Sequence, residues 1–563
     1  MITPRSFVKI YHALTYRDRV IAFVLSIIAL GALLFWIGAA YVISTKAVAD
    51  FGGEYREGIA SQPRYINPII AQTSEADQDL VQLIYSSLFT YDANGKLVKS
   101  LAADYKMEDE GRRYVVTLKQ GVKFHDGEEL TAEDVLYTVQ AIQDPSYKSP
   151  LRANWLSVEA QVIDQYTIAF TLKKAYFGFL ENLTVGILPK HIWEAVTPDK
   201  FLLSDYNLSP IGSGPYQYYN LEKDSSGNIL SIELRSFKSY FEGEAYIPKF
   251  IFSFYPDQET LLAAYAKKEV LGIHSIAPGE EAEVRNLKST TVYEIAIPRI
   301  FSVFVNTIKS KPLAFDEVRK ALSYGTDREA IIREVLLGKG APATSALLPF
   351  MDGFASDIET PHFDQAKANV ILDEAGWKKG DDGIRSKDDT PLEIELTLPE
   401  WPEIQKTAEI LKSQWEVLGV RVNLNQLSAS DLQKNAVKNR EYQALLFGQA
   451  AMLESDPYSF WHSSQKADPG LNLALFDNKD ADQILEGMRE ELNPEARIGQ
   501  YKAFQEILAQ ENPSIFLYSP TYLYVVNGTV KGVDVKRINN PAHRLSNAHR
   551  WFIDTKRVFK KGE

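Results

Sequence analysis

Apolar positions along this chain change their spacing several times, and each change predicts an element. The first signal has no period: Val20 to Ser44 reads VIAFVLSIIALGALLFWIGAAYVIS without one charge. A run of ~20 apolar residues is long enough to cross the hydrocarbon core of a bilayer. Farther on the apolar positions alternate. Tyr114, Val116 and Leu118 share one face of a strand in RRYVVTLK, and Gly121 ends it. Thr131 then caps a helix whose first turn holds Glu133 and Asp134, which complement the positive end of the helix dipole. Asp364 caps a helix through Val370 and Ile371 that stops at Gly376. Ile404, Ala408, Leu411, Trp415 and Leu418 recur at helical spacing up to Gly419. There the period becomes two, with Val420, Val422 and Leu424 on one strand face. Tyr501, Phe504 and Leu508 line a helix that Asn512-Pro513 ends, and two strand-like runs, IFLY and YLYVV, follow. Helix-then-strand units without repeats predict an α/β protein.

Length and charge narrow the picture. A chain of 563 residues exceeds one ordinary domain, and 45% apolar residues support a large core. The net charge of −13 argues against a polyphosphate partner, so no nucleic acid is expected. Cysteine is absent, which removes disulfides, thiol nucleophiles and thiolate metal sites.

Arg5, Lys9, Arg17 and Arg19 precede the apolar run against Asp18 alone, while Lys46 follows it. The positive-inside bias therefore predicts a cytoplasmic N-terminus and an exported body. Residues 1–49 hold five cations and one anion, so the remainder carries −17, a charge that anionic lipid repels. Two readings of the run stand side by side: an uncleaved anchor, or a signal peptide cut after Ala47-Val48-Ala49. Its length exceeds the roughly 7–15 apolar residues of a signal peptide, which favours the anchor.

Catalytic signatures are missing. No HExxH, GxSxG or Walker lysine loop occurs, so no enzyme is expected. The Gly338-to-Ala343 stretch lacks a third glycine and puts Pro342 at the would-be helix start. The eight histidines are scattered, and no metal or cofactor is expected. His125-Asp126-Gly127 reads as a structural turn rather than base chemistry.

Leu101-Ala102-Ala103-Asp104 through GVKFHDGEELTAEDVLYTVQ resembles the signature of family 5 extracellular solute-binding proteins. The resemblance continues in order through Gly212-Ser213-Gly214-Pro215-Tyr216, Asn306 with PLAFDEVRKALSYGTDREAII, Gly338 to Pro349, Ala368 to Trp377, DPYSFWHSSQ and PSIFLYSP. It implies a two-lobed periplasmic-binding-protein-like clamp of the three-segment peptide-binding type (class II), here preceded by one transmembrane helix. Mapped onto this chain, residues 1–49 are tail and anchor. Residues 50–96, 208–299 and 517–563 make the first lobe, residues 97–207 an inserted domain, and residues 300–516 the second lobe. The crossings fall near Pro298 and Phe516, and the GVKFHDG block is implied to be a fold marker rather than a ligand site.

The resemblance also implies the site. The first lobe offers Gln72, Thr73 and Ser74, and the second offers Phe447, Gly448, Gln449, Ala450 and Ala451. Peptide-binding relatives hold the ligand ammonium with an Asp a few residues before a D/E-P dipeptide. Here Met452 or Leu453 falls there, in a loop one residue longer. Glu454 either replaces that acid or is, with Asp456, a solvated loop acid. In the second case the ligand is an N-blocked peptide, an oligosaccharide or another small solute. The implied function is capture of a peptide or similar solute and delivery to the permease subunits of an ABC importer. The chain is expected to be a monomer, anchored in the bilayer through Val20–Ser44 with its body extracytoplasmic. A sensor or chaperone-like binder without a transporter is the alternative, since both need the same closing clamp.

Overall fold

The computed structural model describes residues 15–560 except Ser455, so the predicted tail cations Arg5 and Lys9 lie outside it. The chain forms two compact units. One comprises the residues up to Gly53 with those from Phe552 onward, and the other is Glu54–Trp551.

In the first unit a helix spans Tyr16–Ser44. Thr15 caps it, its hydroxyl oxygen accepting from the Asp18 N–H at 3.3 Å. No residue of this helix is buried, and it is long and apolar enough to cross a membrane. The strand Thr45–Ala49 follows at once and pairs antiparallel with Thr555–Phe559. Ala47-Val48-Ala49 therefore lies within a paired strand. The strand Thr555–Phe559 thus belongs to this unit.

A twelve-stranded mixed sheet dominates the second unit. Its order is Arg421–Leu427, Glu393–Pro399, Ala444–Ala450, Arg299–Val305, Ser514–Asn527, Gly272–Ile273, Glu54–Ile59, Lys249–Phe254, Ile229–Ser236 and Tyr216–Lys223. Thr290–Ala296 and Gly340–Pro342 also pair with Ser514–Asn527. The runs IFLY and YLYVV, expected as separate strands, are thus one strand of 14 residues. Its first part pairs with Phe301–Phe304 and its last part with Thr290–Ala296. Pro520, which has no N–H for a ladder, falls where the partners change.

Strand alternation divides the core. Val303, Val305, Ala444 and Leu446 face one layer with Trp377 and Trp415. Ile300, Phe304 and Leu445 face the opposite layer with Trp461 and Phe504. The predicted helices occur as Gln365–Glu374, Pro402–Val417 and Pro494–Glu511. Ile404, Ala408, Leu411 and Trp415 are buried as their spacing requires.

Residues 102–172 build a separate four-stranded antiparallel sheet in the order Ala102–Glu108, Arg113–Leu118, Thr167–Leu172, Val158–Asp164. Thr131 caps the helix Ala132–Gln143 through a reciprocal capping box with Asp134. His125 clips this region to the glycine segment: the Gly212 N–H donates to its Nδ1 at 3.2 Å, and its Nε2 reaches the Gly214 carbonyl at 3.1 Å. Those glycines are required by close approach. A Cβ at Gly212 would lie 2.0 Å from the Ile84 carbonyl oxygen, and one at Gly214 2.5 Å from that of Leu83. The GVKFHDG block is a structural turn.

The clip needs a neutral ring. Burial holds the His125 pKa down at about 4, and burial does the same for His543 and His549. An unfolded histidine titrates near 6.5, so this stabilisation is complete above about pH 6.5 and is lost as pH falls towards 4. We expect His125 alone to contribute up to about 3 kcal/mol to that acid loss. Denaturant titrations at both ends of the window check it. A His125→Gln variant with the same acid loss as the parent protein would disprove the assignment.

Candidate ligand-binding site

Ala71–Thr73 form one helical turn, and Ser74 caps the following helix Glu75–Ile84, accepting from the Asp77 N–H at 3.2 Å. Gln72 Nε2 donates to the Pro68 carbonyl at 2.7 Å, its Oε1 is buried without a partner, and Thr73 is exposed. Phe447 to Ala450 end a strand whose register sets Phe447 opposite Ser302, Gly448 opposite Phe301, Gln449 opposite Ile300 and Ala450 opposite Arg299. The Ala451 N–H donates to the Pro298 carbonyl at 2.7 Å.

Arg299 joins the two predicted segments. Its strand position is beside Ala450, and its guanidinium lies 3.7 Å from Glu75, the residue after Ser74. Behind Glu75 a chain of charges runs into the core. His274 Nε2 is 2.9 Å from Glu75 and its Nδ1 2.9 Å from Asp79. Arg544 donates to both oxygens of Asp79, at 2.6 and 2.5 Å, and to Glu57 at 2.8 Å. Glu57 also accepts from the hydroxyls of Tyr55 and Tyr524. Burial alone would raise the Asp79 carboxyl, but Arg544 and His274 outweigh it and hold it at about 2. Burial and Arg544 oppose charge on His274, yet the two carboxylates prevail and raise it to about 9. The result is a charged imidazolium donating to two carboxylates.

Aromatic surface flanks the second segment. Trp401 packs against Phe447 with centroids 5.8 Å apart and remains 43% exposed. Phe301 stacks on Tyr518 at 5.2 Å, and Gly448 leaves room for it, since a Cβ there would come within 2.9 Å of that ring.

Asp456 is held inside the structure, whereas the Glu454 side chain is 37% exposed. Asp456 accepts from Arg489 Nε at 2.9 Å and from the Tyr176 hydroxyl at 3.1 Å, with its side chain only 12% exposed. Glu454 stands 3.5 Å from Arg497. Burial raises its carboxyl while Arg497 opposes the shift. Glu181, in the short helix Phe179–Asn182, is buried nearby; burial and then the charges of Glu454 and Asp456 push it well above the carboxylate range. Around this cluster residues 174–181 approach residues 453–490: the Phe177 N–H donates to the Arg489 carbonyl at 3.0 Å and Lys174 pairs with Glu490 at 2.8 Å. The Leu453 N–H donates to Asn539 at 2.6 Å.

Residues 96–470 match the sequence profile of bacterial extracellular solute-binding proteins, family 5 (middle). The chain belongs to this family. It is 28% identical to the oligopeptide-binding protein AppA of Bacillus subtilis over 516 residues, 89% of this chain and 92% of that one. It is 26% identical to the dipeptide-binding protein of Escherichia coli over 465 residues, 78% and 83% of the two chains. The structure of B. subtilis AppA in complex with a nonapeptide superposes with a TM-score of 0.74 at 26% identity, covering 90% of this chain and all of that one.

As a family 5 protein the chain has the two-lobed mixed α/β fold, and the family is one of solute-binding proteins. Among the described residues no group of three or more metal-ligating side chains is placed to hold an ion. The two expected segments lie near each other through Arg299 and Glu75, and Glu75, Arg299, His274 and Trp401 were not among the expected residues. Only Trp401 carried a signal, an aromatic beside a helix-starting proline. The others are meaningful through contacts between residues hundreds of positions apart.

Proposed function

We propose that this family 5 protein captures a peptide or similar small solute between its lobes and passes it to the permease subunits of an ABC importer. The helix Tyr16–Ser44 anchors it in the cell membrane with the N-terminus cytoplasmic and the body outside. The lobes follow the segment assignment given above, with the crossings near Pro298 and Phe516. The observation that carries this reading is the Arg299–Glu75 contact, which brings Gln72–Ser74 and Phe447–Ala451 to one place beside an exposed Trp401. Both segments present main chain suited to pairing with an extended ligand, as in strand addition, so recognition is tolerant of side chains. Glu454 is already engaged with Arg497. A ligand ammonium there has to compete with that guanidinium, so the main chain rather than Glu454 gives most of the affinity.

The test is ligand identification followed by titration. Mass spectrometry of the purified protein is expected to find co-purified peptides, and calorimetry with one of them to give saturable binding. Small-angle scattering should show a smaller radius of gyration on binding, because a ligand touching both lobes favours the closed state by its differential affinity. Trp401→Ala is expected to weaken binding roughly ten-fold through lost aromatic contact. Unchanged affinity in that variant would place the ligand elsewhere.

A further inference from the structure

The ribbon at the end of the apolar helix sorts its charges. Its pairing places Thr45 opposite Phe559 and Ala49 opposite Thr555, so Lys46, Arg557, Phe559 and Lys560 gather at the helix end. The acids Asp50 and Asp554 lie at the far end, where Lys556 pairs with Asp50 at 3.0 Å. Lys46 and Lys560 are exposed. Neither forms an ion pair among the described residues.

Arg557 completes the helix. Its Nη2 donates to the Val42 carbonyl at 2.8 Å and to that of Thr45 at 3.2 Å, and its Nε donates to Thr45 Oγ1 at 2.8 Å. The last helical turn has no cation of its own, and terminal carbonyls carry the negative end of the dipole. The cap therefore comes from more than 500 residues away, as the 512-residue separation of Arg557 and Thr45 shows. The Lys560 N–H extends the same seam, donating to the Ser44 carbonyl at 2.9 Å. Phe559 meets Tyr41 edge to face with centroids 6.3 Å apart, and the two rings are 71% and 46% exposed.

We propose that Thr555–Lys560 form, with Tyr41 and Lys46, a collar on the anchor that takes the phosphate headgroups of anionic phospholipids. The proposal rests on the reading of Tyr16–Ser44 as a membrane span. The uncharged run Val20–Ser44 is roughly 37 Å long at ~1.5 Å per residue. A hydrocarbon core of about 30 Å ends before it does, which sets Ser44 and the start of the ribbon in the headgroup layer. Exposed Phe and Tyr rings suit that layer. Three cations at one level, with the acids held at the other end, favour anionic over zwitterionic lipid, and ammonium groups bind phosphate oxygens through charge-assisted hydrogen bonds. The body is strongly acidic, so this collar reverses the charge where lipid would meet it.

The absence of cysteine makes the test clean, since one introduced thiol carries one fluorophore. Val558→Cys marks the helix end of the ribbon and Thr555→Cys a point about 10 Å farther along the strand. The full chain is placed in nanodiscs of phosphatidylcholine alone or with about one-third phosphatidylglycerol. We expect headgroup-level nitroxide lipid to quench the label at 558 several-fold more than that at 555, and phosphatidylglycerol to increase the difference. Lys46→Gln/Lys560→Gln is expected to abolish that increase while the protein stays in the membrane fraction on alkaline extraction. Equal exposure of both labels to aqueous iodide, or an increase that persists in the double variant, overturns the collar. Release on alkaline extraction, or a mature N-terminus at Asp50, overturns the anchor instead.

Discussion

Arg544→Met is expected to cost the protein about 3–5 kcal/mol of stability, the penalty for removing one partner of a buried ion pair. Arg544, Glu57 and Asp79 are all completely buried. Methionine fills much of the volume but leaves two carboxylates facing only His274 and the tyrosine hydroxyls. Taking up a proton relieves that burial, so the loss should be larger at pH 8 than at pH 5. A Glu57→Gln/Arg544→Met double variant should regain part of the loss, because one of the stranded charges is removed with its partner. Chemical denaturation of the full chain reads all three numbers. A loss below about 1 kcal/mol, the range of exposed pairs, would show that Arg544 is solvated rather than locked.

Ligand affinity is expected to fall roughly ten- to hundred-fold in Tyr176→Phe. The hydroxyl reaches Asp456, 280 positions away, at 3.1 Å, a contact that the proposed clamp would make between its inserted domain and its second lobe. Hydrogen bonds to charged acceptors contribute about 1.5–3 kcal/mol, and each 1.4 kcal/mol is about ten-fold in affinity. Asp456 also pairs with Arg489 at 2.5 Å, so the variant removes the hydroxyl without stranding a charge. Its stability should be close to that of the parent protein, and scattering should show a larger radius at subsaturating ligand. Unchanged affinity would mean that this contact is as strong in the open clamp as in the closed one.

Local signals carried much of the fold. Thr131 with Asp134, Asp364, and the seam from Ile404 to Leu418 each mark an element through interactions within one or two turns, and each is where the pattern put it. The single strand Ser514–Asn527 was not legible, because Pro520 reads locally as a break. Only the change of partners on either side makes a proline tolerable there. Of the candidate site, the resemblance pointed to Gln72–Ser74 and Phe447–Ala451, but nothing local marks Arg299 or Glu75 beside them. His274 looked like one more scattered imidazole. It gains its charge from Asp79 and Glu75, nearly 200 positions away, and no window along the chain contains all three.

The ribbon at the end of the apolar helix closes late in biosynthesis. Thr45–Ala49 leaves the ribosome early, yet its pairing strand is made some 500 residues later. At about 5–20 residues per second that interval is roughly 25–100 s. Through all of it Ala47-Val48-Ala49 lacks its strand partner. Completion of the last strand shuts that window. Translation speed, and not sequence alone, therefore sets how long this segment stays unpaired.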